Sequence, residues 1–120
     1  MIVKREWELH SISQAQFVTV SSTEYYVFRL RENDKLKESI LEFAQHNDIK
    51  AGTILSSVGS LKTLNVRLAG AEITLNREED FEILSLNGTF NNTLEGHFHI
   101  SVSDKEGNCI GGHLLTQIIQ

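Results

Sequence analysis

The chain has 120 residues, a formal net charge of −5, 40% hydrophobic residues, one cysteine and no proline. That length suits one domain able to bury a core without covalent staples. The acidic balance speaks against a general affinity for phosphate backbones, which rests on Lys and Arg neutralising many phosphates. Cys109 is the single cysteine, so no intramolecular disulfide can form, which fits a reducing compartment. No apolar run approaches the roughly 18–20 residues that span a bilayer. The charged stretch Met1–Glu8 lacks the apolar core of a secretory leader. These features lead us to expect a cytoplasmic protein.

Residues 1–14 are mixed in character, with Trp7 and Leu9 as candidate anchors. Residues 16–20 read as a short strand, 21–23 as a turn, and 24–30 as a second strand rich in aromatic and β-branched residues. The two are expected to pair as a hairpin. The period then changes. Leu36, Ile40, Phe43 and Ala44 recur at helical spacing, while Lys35, Glu38, Glu42 and Gln45 fall mostly on the other face. A helix is expected over about 34–47, with Asn33 or Asp34 as its N-cap and Asn47 as a left-handed stop.

Residues 51–58 form a mostly apolar strand pattern, interrupted at Gly59-Ser60 by a bulge or a close backbone approach. Leu64, Val66 and Leu68 alternate with Asn65 and Arg67 as in a half-buried strand. A weaker strand follows at 73–75, then a charged turn at 76–80 and a strand at 81–86. Asn87-Gly88 reads as a turn or bulge, and Asn91-Asn92 as another turn. There is no internal repeat and no low-complexity segment. The pattern predicts a single α+β domain over residues 1–120, with a mainly antiparallel sheet, one clear helix and a C-terminal β-hairpin.

That hairpin carries the chemistry. Gly96-His97-Phe98-His99-Ile100 and Gly111-Gly112-His113-Leu114 flank the turn-forming run 103–108. Residues two apart in a strand share a face, so His97 and His99 point one way and Phe98 the other. With the turn centred on Glu106, His99 lies opposite His113, with facing Cβ atoms about 4.5–5.5 Å apart. Three imidazoles on one face meet the need of an open Zn²⁺-type site, and they also suit Ni²⁺, Cu²⁺ and Fe²⁺. Gly96, Gly111 and Gly112 would leave space around an ion or mark a bulged sheet edge. For His10 and His46 a structural role is the better reading, His46 through the dipole at a helix end.

Four motifs, Val58–Leu61, Phe81–Gly88, Gly96–Ile100 and Gly111–Leu114, together resemble the PPC ("plants and prokaryotes conserved") domain in order and spacing. The resemblance runs from about Tyr26 to Leu114. It implies a compact α/β unit that assembles as a homotrimer, of the stand-alone prokaryotic type. Such domains are often labelled DNA-binding, and some carry a metal on the matching histidines. By that match His97, His99 and His113 carry over as metal ligands. Two features depart from the family pattern. Glu79 and Asp80 replace the Gly-Arg that precedes Phe-Glu-Ile-Leu in the plant form, and no AT-hook is present. A further strand would follow the Gly-Gly-His-Leu motif, and with Gln120 so near it is expected to be short or missing.

Three functions compete at this point. The first is a trimeric metal-binding domain with a binding or regulatory task. The second is a small metal-dependent hydrolase or lyase using a metal-bound water, with Glu82, Glu72 and Arg67 as candidate helpers. For those three a surface charge or salt bridge is the better reading, and Glu82 stands out as a carboxylate in an apolar strand. The third is DNA binding, the weakest on chemistry. The chain shows no basic cluster beyond Lys4-Arg5 and the spaced Arg29, Arg31, Lys35 and Lys37. Cys109 reads as a small packed side chain that shares strand parity with His113.

Overall fold

Alternation of apolar and polar side chains gives the sheet one buried and one solvent-facing surface, and among the described residues one helix covers the buried one. The computed structural model describes residues 22–116 and 118–120. Among them lie one helix, α1 (Leu36–His46), and seven strands. The strands are β1 (Gly52–Thr53), β2 (Ser60–Leu61), β3 (Leu64–Arg67), β4 (Thr74–Arg77), β5 (Phe81–Phe90), β6 (Gly96–Ser103) and β7 (Cys109–Leu114). They form one sheet in the order β1-β5-β6-β7-β3-β4, with β2 also paired to β5. Every pairing is antiparallel. No described helix is long and apolar enough to cross a membrane.

The core lies between α1 and the even-numbered residues of the central strands. Phe98, Ile100 and Val102 of β6 and Leu114 of β7 are buried, as are Leu64 and Val66 of β3. Leu36, Ile40, Leu41 and Ala44 of α1 close over them. Phe43, expected on this face, instead meets the chain before the helix. Its ring stacks on Phe28 at 4.2 Å and meets Tyr26 edge-on at 5.6 Å between centroids.

Several expectations are corrected. Residues 24–30 belong to no strand; Tyr26 and Phe28 spend their apolar surface on Phe43, and Tyr25 and Val27 face outward. The proposed partner at 16–20 lies outside the described residues. α1 begins with no side-chain cap. Lys35 is extended and bridges to Ile118, so strand-like pairing with the C-terminal tail delays the helix start. The Asp34 carboxylate accepts from the Arg31 N–H instead, and Asn33 takes the left-handed conformation. At the other end the left-handed residue is Asp48, one later than expected. Ile49 N–H donates to the Ala44 carbonyl at 2.8 Å and Asp48 N–H to that of Gln45 at 3.2 Å, a Schellman closure.

Of the strand predicted over 51–58, only Gly52–Thr53 pairs with β5. The last strand, expected to be short or missing, consists of isolated bridges at Ile118 and Ile119. These thread the tail between residues 33–35 and 60–62 through bonds such as Asn33 N–H to Ile119 O, 3.0 Å, and Lys62 N–H to Ile118 O, 3.0 Å.

β5 runs straight through Asn87-Gly88, pairing them with His99 and Phe98. The irregularity falls between Ile83 and Ser85, leaving Leu84 exposed. Beyond this bulge the odd-numbered residues of β5 face outward together with those of β6. The 91–95 turn forms as expected, around the Asn91 side-chain oxygen, which accepts from Thr93 N–H at 2.9 Å and Glu95 N–H at 3.3 Å.

Candidate metal centre

The β6–β7 hairpin fixes the site. Its register pairs Ser103 with Cys109 and His99 with His113, so the turn centres on Glu106. Asp104 builds that turn. Its Oδ1 accepts from the backbone N–H of Glu106 and of Asn108, each at 2.9 Å, and Gly107 supplies the positive φ of 83°. The backbone bond from Asn108 chiefly, helped by the Asn108 side chain, the Glu106 N–H and the Arg77 charge, holds the Asp104 carboxyl below the usual carboxylate range against the effect of burial.

On the outer face His97, His99 and His113 come together, each offering a ligand atom within 4.8 Å of the others. His97 Nε2 and His99 Nε2 are 3.1 Å apart. Ring centroids are 4.9 Å apart for 97–99, 4.8 Å for 97–113 and 5.9 Å for 99–113. His97 and His99 are exposed, and His113 is half-buried. Burial chiefly, then the charges of Arg67, His97, Lys37 and His99, pushes the His113 pKa below that of an ordinary histidine. Its ring is therefore neutral near pH 7, the form that can donate a lone pair.

Two observations test whether an ion fits. A tetrahedral Zn²⁺ with Zn–N bonds of about 2.0–2.1 Å places its nitrogens roughly 3.4 Å apart. The observed separations, from 3.1 Å up to 4.8 Å, bracket that value, so only small rotations of exposed rings are needed. In addition, His113 Nδ1 is buried and has no hydrogen-bond partner among the described residues. A buried polar nitrogen left unsatisfied is costly, and a cation or its ligand shell would relieve it. The residues present fit a divalent ion.

The other candidates separate by register. Arg67 pairs with His113 across β3–β7 and stands beside the cluster. Glu82 pairs with Ser103, four residues along β6 from His99, or about 13 Å at the usual strand rise. Glu72 is exposed in the β3–β4 turn. Cys109 shares the face but lies opposite Ser103, not His99; it is exposed rather than packed.

Gly96 and Gly112 do not make room for an ion. A Cβ on Gly96 would strike the Phe98 ring and Leu41 on the core side, and one on Gly112 would meet the Arg67 carbonyl at 2.7 Å. They permit close packing of strand, ring and helix. Sequence reasoning named Arg67 as a candidate helper but favoured a surface charge; its place beside His113 depends on β7 pairing with β3 rather than with a sequence neighbour.

An antiparallel sheet with one helix on its buried face and three clustered histidines on the other defines a small α+β domain. The chain belongs to the Plants and Prokaryotes Conserved domain family, whose model matches residues 18–119. It is 34% identical over 116 residues to the bifunctional protein GlmU of a Synechococcus strain. That match takes in 94% of this chain but 18% of the relative, so the chain spans under a fifth of the curated relatives it matches.

Among solved structures it is similar to a hypothetical protein from Salmonella enterica, with 33% identity, a TM-score of 0.81 and coverage of 85% of this chain and 74% of that one. It is also similar to the metal-containing protein AF0104 of Archaeoglobus fulgidus, with 25% identity, a TM-score of 0.57 and coverage of 83% and 79%. A structure from Bacteroides thetaiotaomicron, described as a candidate DNA-binding protein, shares the fold at 23% identity and a TM-score of 0.69, covering 76% and 67%.

Proposed function

We propose that this protein binds a divalent metal ion, Zn²⁺ foremost, through His97, His99 and His113, and that it works as a cytoplasmic homotrimer in a binding or regulatory role. The observation that carries the reading is the convergence of three imidazoles, one with an unpartnered buried nitrogen, on a single sheet face. The metal-containing description of the Archaeoglobus relative supports it. A bound ion would polarise whatever occupies its remaining position.

The chain's own residues favour binding over hydrolysis. Among the described residues no carboxylate joins the histidine group, and Glu82 stands four residues away along the ladder, so none of them is placed as general base to a metal-bound water.

Self-association is supported by apolar side chains left facing outward. Tyr25, Val27, Leu55, Val58 and Leu84 are all exposed. Such surface marks interfaces when it is contiguous. DNA is the weaker partner: the net charge is −5, and the fold likeness to the Bacteroides protein does not bring its description with it.

Elemental analysis of purified protein tests the central claim. One ion per chain is expected in the wild type and none in His97→Ala. A wild type that retains no metal after growth in supplemented medium, and takes up none in titration, would end this reading.

A further inference from the structure

One row crosses the outer face of the sheet. By register it runs Asn87, His99, His113, Arg67 and Thr74, one residue from each of β5, β6, β7, β3 and β4. Arg67 is thus the direct neighbour of a candidate ligand, on the same face. It is exposed, and among the described residues no carboxylate pairs with it. Arg77, by contrast, is held by Glu79 at 2.5 Å and approaches Asp104 at 3.9 Å. In a chain with 16 acidic and 11 basic residues, an unpaired guanidinium beside the histidines is a local feature rather than a consequence of composition.

Three protein ligands leave one position of a tetrahedral ion open. Arg67, the register neighbour of His113 on that face, carries a planar fork of N–H donors that matches two oxygens of a carboxylate. We propose that the histidine centre takes a small carboxylate ligand, with Arg67 as its second anchor and the determinant of its selectivity. This inference rests on the metal reading and goes beyond it by naming the ligand class. The row supplies a single guanidinium, which suits a monoanion. A polyanion such as a nucleic-acid backbone needs a run of cations, which the row does not have.

The test uses the full chain loaded with Co²⁺, whose visible spectrum reports its ligands. Sodium acetate is titrated at constant ionic strength made up with sodium chloride. The wild type is expected to show a saturable spectral change. Arg67→Gln should still take one Co²⁺ per chain but bind acetate at least about tenfold more weakly, with Arg67→Lys in between because it keeps charge but loses the fork. Equal acetate affinity in wild type and Arg67→Gln, or no saturable change in the wild type, overturns the role of Arg67. Tighter binding of inorganic phosphate than of acetate overturns the carboxylate assignment. Failure of the wild type to take up Co²⁺ at all is a separate result: it overturns the metal reading itself, and this inference with it.

Discussion

His99 and His113 face each other across the β6–β7 ladder, their ring centroids 5.9 Å apart. Sheet side chains have a period of two, so a slip of one residue would send His113 to the core side and replace it with Gly112 or Leu114. What pins the register is the turn at the far end of the hairpin, where Asp104 ties down the N–H groups of Glu106 and Asn108. The histidine cluster therefore depends on a side chain far from it in the ladder.

Removing that tie should be felt at both ends. Asp104→Ala is expected to lower the melting temperature by several degrees and to weaken metal binding, although no ligand is touched. The effect also has a pH signature. The Asp104 carboxyl titrates below its unfolded value, so between the two pKa values the unfolded chain binds more protons. Its contribution is present above the ordinary carboxylate range and fades as pH falls through the folded pKa. Melting scans from pH 6 to pH 2.5 should show a steeper acid loss in wild type than in Asp104→Asn.

Metal affinity should have its own pH dependence, set by the imidazoles. Binding requires neutral rings, and burial lowers the pKa of His113, so this ligand stays available to more acidic pH than an ordinary histidine. The same sign holds for stability: an apo chain loses the His113 contribution as pH falls from about 6.5 toward its folded pKa. Calorimetric Zn²⁺ titrations at pH 7.5 and pH 5.5 should give markedly weaker binding at the lower pH. His113→Ala should cost at least about a hundredfold in affinity at pH 7.5, the upper end of what loss of a mere supporting contact costs. His46→Ala, at the exposed end of α1, should leave it unchanged.

Gly88 links the core to the site. A Cβ there would meet the His97 carbonyl at 2.2 Å and the Phe98 ring at 2.6 Å. Gly88→Ala should therefore push β5 away from β6 just where His97 is anchored, costing about 1–3 kcal/mol by overpacking. Chemical denaturation measures that cost. Emptying the same place, Phe98→Ala should cost about 3–5 kcal/mol, since that ring is fully buried.

The parts of the fold legible in the sequence are those in which local signals and burial agree. The C-terminal hairpin has turn residues at its tip and apolar side chains at alternate positions, so even the His99–His113 pairing could be read from it. α1 was legible through its repeat, but its ends were not, because pairing of Lys35 with the tail outweighed capping at the start. Asn87-Gly88 carries a local turn signal that yields to packing: Phe98 fills the space that Gly88 leaves open. The bulge at Leu84 has no marker, since it interrupts a run of uniformly strand-like residues. Residues 24–30 have high β-propensity, which reports fit to a half-buried surface, and here the surface is Phe43 of a helix. The position of Arg67 beside His113 arises from a non-consecutive pairing, which no local pattern encodes.

The outward-facing apolar residues supply the last prediction. Val27 is 99% exposed and Val58 96%, values that a side chain of this type reaches only when no described residue covers it. Near them in sequence, Tyr25 is 76% exposed and Leu55 79%. These residues lie in segments that form no named strand, 22–30 and 54–59, so their apolar side chains are available to another copy. If self-association covers them, burying two valines per chain is worth roughly 1.5–3 kcal/mol each. A charge at either position would add a desolvation cost. In sedimentation equilibrium the wild type is expected at three times the 13.5 kDa chain mass. Val27→Glu combined with Val58→Glu should shift it toward the monomer at micromolar concentration. Metal content per chain should survive that dissociation, because all three histidines come from one hairpin. A wild type that sediments as a monomer would refute the trimer, and metal lost together with the trimer would show that a neighbouring copy completes the site.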